Sequence, residues 1–251
     1  MADETWEPAF DFYLTRLDGA LASVVVDLHA RPVQSHGHCV VVRTALKVAR
    51  PDGLRDPREL DALGQVEDEL VDALSARDAL YVGRVVSRGE AQFVFYLRGA
   101  PDVMMAQVRD YALSWKASAD PEWNTFARVL FPSRLELQTM LNRRLLEQLE
   151  AQGDSLQLPR SVDHLAFFDT KDQALAAASA LGELGFKVDA PRPEEDGRVA
   201  LEFHRDDVLA GGRIGAVCAE VLARLEPLGG EYDGWGCAVV RVEATPPGQR
   251  S

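Results

Sequence analysis

The feature that most constrains the fold is the order of hydrophobic patterns beyond residue 160. Short β-rich runs indicate strands there, and apolar residues at three- and four-residue steps indicate helices. The predicted elements are strand 162–168, helix 171–184, strands 186–190 and 198–204, helix 214–228 and strand 237–242. This β-α-β-β-α-β order predicts a ferredoxin-like fold, in which two helices cover one face of an antiparallel sheet.

The first half is predicted to be a second α+β domain, built on a mainly antiparallel sheet. Asp18-Gly19 and Arg88-Gly89-Glu90 each separate two β-rich runs, and glycine at such a position favours a tight hairpin turn. The predicted strands are 10–17, 22–28, 39–48, 80–87, 91–97 and 123–131, and the predicted helices are 56–75, 101–116 and 132–151. The chain of 251 residues is long enough for two domains with separate cores.

The boundary between the domains is predicted at residues 153–160. Gly153 follows a long helical pattern, and Pro159 disfavours helix at the residue before it. The resulting division is an N-terminal domain over 1–152, this linker, a C-terminal domain over 161–244 and a flexible tail over 245–251. Both parts are acidic, with 24 Asp and Glu against 17 Lys and Arg up to residue 154, and 16 against 10 beyond it.

The net charge of -13 argues against direct binding of nucleic acid, because phosphates would be repelled. The outward positions of strand 198–204 carry Arg198, Glu202 and His204. RNA-binding sheets present aromatic side chains, which here only Phe167 or Phe168 could supply. No apolar stretch approaches the roughly 20 residues of a membrane span, and the acidic N-terminus lacks a secretory signal. These features predict a cytoplasmic protein without membrane contact.

His36-Gly37-His38-Cys39 is the densest cluster of metal-ligating residue types. A zinc or copper site using His36, His38 and Cys39 is one interpretation. The interpretation that we favour is a loop followed by a core cysteine, because no further ligand pair has metal-site spacing. The sequence also has no Gly-x-Ser-x-Gly motif and no phosphate-binding loop with standard spacing. We therefore predict no catalytic residues, no cofactor and no metal.

The segment Tyr232-Asp233-Gly234-Trp235-Gly236 combines glycines with two large aromatic side chains. One interpretation is a helix-to-strand connection whose aromatics pack on the core. The other is a partner-binding surface, since Tyr and Trp are frequent anchors of protein interfaces.

This pentapeptide, with the β-α-β-β-α order that opens at Val162-Asp163-His164, resembles the regulator of ribonuclease E activity B family over residues 158–244. The first half resembles an uncharacterised domain family often fused upstream of that regulator. The matching segments are Trp6 with Phe12-Tyr13, 81–84 through 93–96, 120–123 and 130–132. The resemblance implies a module that binds an RNA-degrading endonuclease, ribonuclease E or a related enzyme, and restrains it without a cofactor.

The leading hypothesis is a non-enzymatic bacterial regulator whose C-terminal domain binds a protein partner in RNA turnover. An acidic surface is suited to docking on the basic segments of an RNA-processing enzyme. The residues predicted to bind are Tyr232, Asp233, Gly234, Trp235 and Gly236, with Glu194, Glu195 and Asp196 of an acidic turn.

Two alternatives stay open at this point. The N-terminal domain could be an enzyme or a small-ligand or metal-binding protein, with His36, His38, Arg84 and Trp123 at a pocket. The long helix from Leu135 to Leu149 could instead pack against a second copy of the chain and form a homo-oligomer.

Overall fold

The computed structural model describes residues 6–102 and 104–241. The predicted tail 245–251 and the end of the last predicted strand at Val242 lie outside these residues. The chain forms two compact units, Met1–Glu136 and Leu137–Ser251. Within the described ranges, no helix is both long enough and apolar enough to cross a membrane.

The N-terminal unit is built on a six-stranded sheet, whose neighbouring strands span, in order, residues 10–17, 20–27, 80–87, 90–97, 38–45 and 114–119. All its neighbouring strands are antiparallel, as the sequence predicts. Its strands are β1 Phe10–Leu17, β2 Ala20–Asp27, β3 His38–Ala45, β4 Leu80–Ser87, β5 Glu90–Leu97, β6 Gln107–Val108, β7 Tyr111–Ala112 and β8 Ser114–Ala119, and its long helix is α1 Leu60–Ser75. The pair β6–β7 forms a separate small hairpin.

Both long hairpins lie at the turn residues that the sequence predicted. Asp18 and Gly19 join β1 to β2 with φ values of 48° and 80°, and Arg88 and Gly89 join β4 to β5 with values of 53° and 77°. Two successive residues with positive φ give the two-residue turn whose twist matches that of paired strands.

The two faces of this sheet pack against different layers. On one face, the apolar stripe of α1 (Leu63, Val66, Leu70 and Leu74) packs against β3 and β5. On the other face lie the buried aromatic rings of Tyr96 and Trp123, which are stacked with their centroids 3.9 Å apart. Tyr13 on the same face donates a hydrogen bond from its hydroxyl to the Leu130 carbonyl at 2.8 Å.

Two predicted elements in this unit are wrong. Residues 101–116 form no helix in the described part, which instead holds β6, β7 and the start of β8. Residues 123–131 form no strand, because Trp123 has a φ of 52° and a π-helical turn follows at Phe126–Leu130. The indole of Trp123 is fully buried and donates a hydrogen bond to the His36 carbonyl at 2.9 Å, so tertiary contacts set this conformation.

The C-terminal unit confirms the predicted order of elements. Its elements are helix α2 Arg134–Ala151, whose first turn lies before the division, β9 Arg160–Phe168, α3 Lys171–Glu183, β10 Lys187–Val188, β11 Arg192–Pro193, β12 Val199–Asp207, α4 Arg213–Leu225 and β13 Glu231–Cys237. The sheet has the order β10-β12-β9-β13, with β11 on β12 and antiparallel pairing throughout. The apolar stripes of α3 and α4 share one core with the inward residues of β9 and β12.

Helix α2 belongs mostly to the C-terminal unit, which differs from the predicted division at residues 153–160. Its Leu149 is buried in the C-terminal core, and Leu145 and Leu146 pack against that core. The carboxylate of Asp154 just beyond the helix is fully buried in an ion pair with Arg160 of β9. The segment predicted as a linker is therefore packed into the C-terminal unit.

Candidate functional site

The glycine-rich aromatic segment is itself the edge strand β13, where the sequence predicted a connection before a strand at 237–242. β13 pairs with β9, and the register shifts between Tyr232 and Gly234. Asp233 is the extra residue of this β-bulge, and Gly234 has a φ of 127°, which favours glycine.

The bulge turns both aromatic side chains toward the helices. Tyr232 lies opposite Ala166, and Trp235 lies opposite His164, and both of these β9 residues face the core. In a regular strand, two residues three positions apart would point to opposite faces. The spacing Tyr-Asp-Gly-Trp therefore encodes two inward aromatics and one outward carboxylate.

The inward aromatics belong to a polar network that fastens α2 to the sheet. The Asn142 Oδ1 atom accepts hydrogen bonds from Trp235 Nε1 at 2.7 Å and from Gln138 Nε2 at 2.8 Å. The Cys218 thiol of α4 lies 3.6 Å from the same Oδ1 and 3.7 Å from the Tyr232 hydroxyl. The Tyr232 hydroxyl also hydrogen-bonds His164 Nδ1 at 2.7 Å.

Burial keeps the titratable members of this network uncharged. Desolvation lowers the pKa of His164 to about 4, which the negative charge of Asp207 partly opposes. Burial also raises the pKa values of Cys218 and Tyr232. The network is therefore neutral at physiological pH and has the character of a structural core rather than of an acid–base site.

On the opposite face of the sheet, the described part of the C-terminal unit places no helix, and four carboxylates gather there. Strand alternation places Asp163 of β9 and Glu202 of β12 on this face, the bulge of β13 adds Asp233, and Asp189 follows β10 at its edge. All four carboxylates are exposed and line a shallow depression of about 310 Å³, whose floor includes Gly234 and Gly236. We call this surface the acidic face.

Two arginines beside the acidic face are already paired, and Lys187 and His204 lie on the same face as Asp163 in the register of the strands. Arg192 forms ion pairs with Glu194 at 2.7 Å and with Glu202 at 3.0 Å. Arg198 pairs with Asp196 at 2.8 Å and with Glu231 at 3.3 Å. By contrast, Asp163, Asp189 and Asp233 take no hydrogen bond or ion pair from the side chains of the described residues, although Arg198 is near enough to Asp233 to interact with it electrostatically.

The predicted acidic turn lies at one end of this sheet. It follows β11, and hydrogen bonds from the Arg198 backbone and side chain lower the pKa of Asp196. Because Arg198 bridges Asp196 to Glu231 at the start of β13, the turn and the edge strand are brought to the same end. Glu195 is exposed in this turn.

Among the residues that the structure describes on the open face, Phe167 is the only Phe, Tyr or Trp. The Arg198 guanidinium lies over this ring, 4.2 Å from its centroid. Phe168, the other aromatic considered from the sequence, is buried against the helices. A single covered ring among carboxylates does not form the stacking platform used by RNA-binding sheets.

The alternative residues of the N-terminal unit do not form a metal site. His36 is buried and its Nε2 bonds the Asp78 carbonyl at 2.9 Å. Cys39 is buried with a pKa raised by desolvation, while His38 precedes it in the strand and points to the opposite face. Between residues 6 and 241, leaving out residue 103, no three His, Cys, Asp or Glu side chains group in a way that could hold a metal ion.

Arg84 and Trp123, the remaining pocket candidates, are also dispersed. Arg84 forms an ion pair with Glu67 of α1, which also accepts a hydrogen bond from Tyr81. Trp123 lies in the aromatic core on the other face of the sheet. Of the four candidates, His36 lines a cavity of about 370 Å³.

Sequence reasoning missed the residues that complete both faces of the C-terminal sheet. Gln138 and Asn142 are buried polar residues of α2, the helix that the sequence analysis placed in the N-terminal domain. Their burial can be recognised only when the fold is known. Asp163 and Asp189 are single acids on separate elements, so no local spacing connects them. Their outward direction follows from the alternation of the strands.

Comparison with known families gives two matches that do not overlap. The family model described as regulator of ribonuclease activity B matches residues 139–237, and the family of unknown function DUF695 matches residues 9–131. These matches confirm the fused arrangement indicated by the sequence. The first includes most of α2, in agreement with the polar network that fastens this helix. No curated protein matches the chain.

Proposed function

We propose that the C-terminal unit, which matches regulators of ribonuclease activity, binds a basic segment of an RNA-degrading endonuclease through its acidic face. Ribonuclease E or a related enzyme is the partner that we would test first. The observation that carries the proposal is the set of unpaired outward carboxylates of Asp163, Asp189 and Asp233 around one depression.

The physical basis of binding is competition with RNA for the same cations. Endonucleases hold RNA largely through Lys and Arg side chains, and a surface with unneutralised carboxylates attracts these side chains at low ionic strength. A bound regulator would therefore restrain cleavage without chemistry of its own. The proposed interface consists of the acidic face with Glu194, Glu195 and Asp196 at its end.

Tyr232 and Trp235 take a supporting role in this proposal. Their polar atoms are occupied by His164 and Asn142, so the rings position the strand that presents Asp233. The variant Trp235→Ala is consequently a poor test of binding, because it removes a core contact and leaves Asn142 with one donor fewer.

The test compares two charge-matched double variants of the full chain for binding to purified ribonuclease E. Asp163→Lys with Asp233→Lys alters the acidic face, whereas Glu183→Lys with Glu220→Lys alters exposed positions on α3 and α4. We expect the first pair to weaken binding at least about tenfold and the second pair to have little effect.

The dependence of binding on salt provides an independent readout. The wild-type affinity should fall as NaCl rises from about 50 to about 500 mM, because exposed charges are screened. The triple variant of Glu194, Glu195 and Asp196 to Lys tests whether the acidic turn contributes. Absence of wild-type binding at low salt, or equal loss in both double variants, would reject the proposed interface.

A further inference from the structure

The last strand of the C-terminal sheet leaves its outer edge open in the described part of the unit. β13 stands at the end of the strand order and pairs with β9 on one side. Apart from β9, no described residue hydrogen-bonds to the backbone of residues 231–237, and none of these seven residues is buried. An edge strand directs the N–H and C=O groups of alternate residues outward, so a further strand can pair with them.

Two depressions meet along this edge strand. Asp233, Gly234 and Trp235 line the depression of the acidic face, and the same three residues line a second cavity of about 310 Å³. The opposite wall of the second cavity belongs to α2 and includes Leu141 and Leu145. β13 is therefore a wall shared by two depressions, one with carboxylates and the other with leucines.

The leucines of α2 are held in place beside the edge strand. Leu141 and Leu145 are four residues apart and hence neighbours on the helix surface, and Leu141 is 50% exposed. Asn142, next to Leu141, accepts the 2.7 Å hydrogen bond from Trp235 Nε1. The apolar wall is thus fixed to β13 by the buried polar network.

β13 also leaves room for an approaching backbone. Gly236 has no positive φ, and a Cβ added there would meet no described atom within 4 Å. Neither its backbone conformation nor crowding by the described residues therefore requires glycine at this position. A Cβ on Gly234 would meet open space as well. Glycine inside a strand is typical of a place where another backbone approaches closely.

We propose that β13 binds an extended segment of a partner, in which Lys or Arg alternates with apolar residues, as an added strand. Successive side chains of a strand point to opposite faces, so every second side chain would reach the carboxylates of the acidic face. The others would reach Leu141 and Leu145. The inference rests on the proposed function, because it specifies the form in which a basic segment of the endonuclease would bind.

Charge selects this occupant over a second copy of the chain. A second β13 would bring another Glu231 and Asp233 to the same edge, and each chain has a net charge of -13. A basic segment would instead place cations near Asp163 and Asp233. Because the bulge at Asp233 disrupts the strand, we expect regular pairing over 234–237.

The test uses a fluorescently labelled peptide of about eight residues in which Lys and Val alternate, which is close to the length of β13. A block peptide of the same composition, with all Lys before all Val, tests the alternation. Fluorescence anisotropy with the full chain at low salt should show binding of the alternating probe. The block peptide should bind at least about tenfold more weakly.

Backbone methylation of the probe distinguishes strand addition from contacts of side chains alone. In an extended strand, the N–H groups of all Lys residues point to one edge and those of all Val residues point to the other. Two isomers therefore carry N-methyl groups on either the Lys or the Val residues. One isomer should bind like the probe, and the other, whose methyl groups face β13, should bind at least about tenfold more weakly.

Two pairs of matched variants locate the binding. Leu141→Lys should weaken the probe's affinity about tenfold because a charge enters the apolar wall. Leu175→Lys on α3, at a position that is 47% exposed, changes the net charge equally and should leave the affinity unchanged. Asp233→Lys should also weaken binding, with Glu220→Lys as its control. Hydrogen exchange should show protection of β13 amides by the probe, and circular dichroism checks the folding of each variant.

Equal affinities of the alternating and block peptides, or of the two methylated isomers, would overturn the inference. A dimer in light scattering that Leu141→Lys dissociates would make a second copy the occupant. These failures differ from failure of the proposed function. If ribonuclease E binds through the acidic face while the peptides show no preference, strand addition is rejected and the proposed function stands. If the probe binds with the expected preferences and ribonuclease E does not bind, the strand site stands and the partner is rejected.

Discussion

The buried imidazole of His164 predicts a specific loss of stability in acid. His164 is 3% exposed, with its ring stacked on Phe203 and its Nδ1 bonded to Tyr232. Its pKa is lowered from 6.5 to about 4, so between these pH values the unfolded chain binds a proton that the folded chain excludes. Stability contributed by the neutral ring is therefore complete above pH 6.5 and declines as the pH falls toward 4.

The expected size of this effect is about 3 kcal/mol at pH 4, because each pKa unit corresponds to about 1.4 kcal/mol. The comparison is between the wild type and His164→Gln, which retains a hydrogen-bonding side chain but does not titrate. Both proteins share all other ionisable groups. Between pH 7.5 and pH 4, the wild type should lose about 3 kcal/mol more unfolding free energy than the variant.

The assay must report on the C-terminal unit alone. The chain has four tryptophans, and Trp235 is the one in that unit. Incorporation of 5-fluorotryptophan therefore allows urea unfolding to be followed through the Trp235 ¹⁹F signal at each pH. Parallel pH profiles for the two proteins, or an NMR titration of His164 near pH 6.5, would refute the reasoning.

Further substitutions test the packing of each unit by urea unfolding. Asn142→Ala should lower the free energy of unfolding by about 3 kcal/mol, because the Trp235 indole N–H loses its acceptor in a partly buried site. An unfolding free energy equal to that of the wild type would contradict the account. Gly83→Ala should cost about 3 kcal/mol, since the added Cβ would lie 2.2 Å from the Val25 carbonyl oxygen at a φ of 147°, and a neutral effect would be inconsistent with that contact. Gly64→Ala in α1, where a Cβ meets open space, should instead stabilise the N-terminal unit by up to about 1 kcal/mol.

Elements with strong local signals were predicted well from the sequence. The hairpin at Asp18-Gly19 requires positive φ at both turn residues, which aspartate and glycine tolerate, so its register follows from a dipeptide. Helix α4 has an uninterrupted apolar stripe from Ile214 to Leu225, and six of its residues are buried. In these segments the local preference and the tertiary packing agree.

The errors fall where distant contacts decide the conformation. The segment after Trp123 is apolar enough to resemble a strand, but the buried indole bonds to His36, which is 87 residues earlier. β13 was placed too late in the chain because its two glycines, Gly234 and Gly236, and a bulge hide the alternation of a strand. Helix α2 was given to the N-terminal domain because proximity in sequence does not reveal that Asn142 bonds to Trp235, 93 residues later.

The sequence identified candidate residues of the site, but it did not show which way their side chains point. The aromatic pair and the acidic turn were identified from composition, but the bulge that sends Tyr232 and Trp235 inward and Asp233 outward is a property of the paired strand. The acidic face takes single residues from separate strands. Such a surface can be found only after the register of the sheet is known.

The central claim is tested most directly by RNA cleavage. Purified ribonuclease E is given a fluorogenic single-stranded RNA at low salt, with increasing amounts of the full chain. The account predicts a dose-dependent fall in cleavage rate with the wild type, a similar fall with Glu183→Lys/Glu220→Lys, and little effect with Asp163→Lys/Asp233→Lys. An unchanged cleavage rate at saturating wild-type protein, or equal inhibition by both double variants, would contradict it.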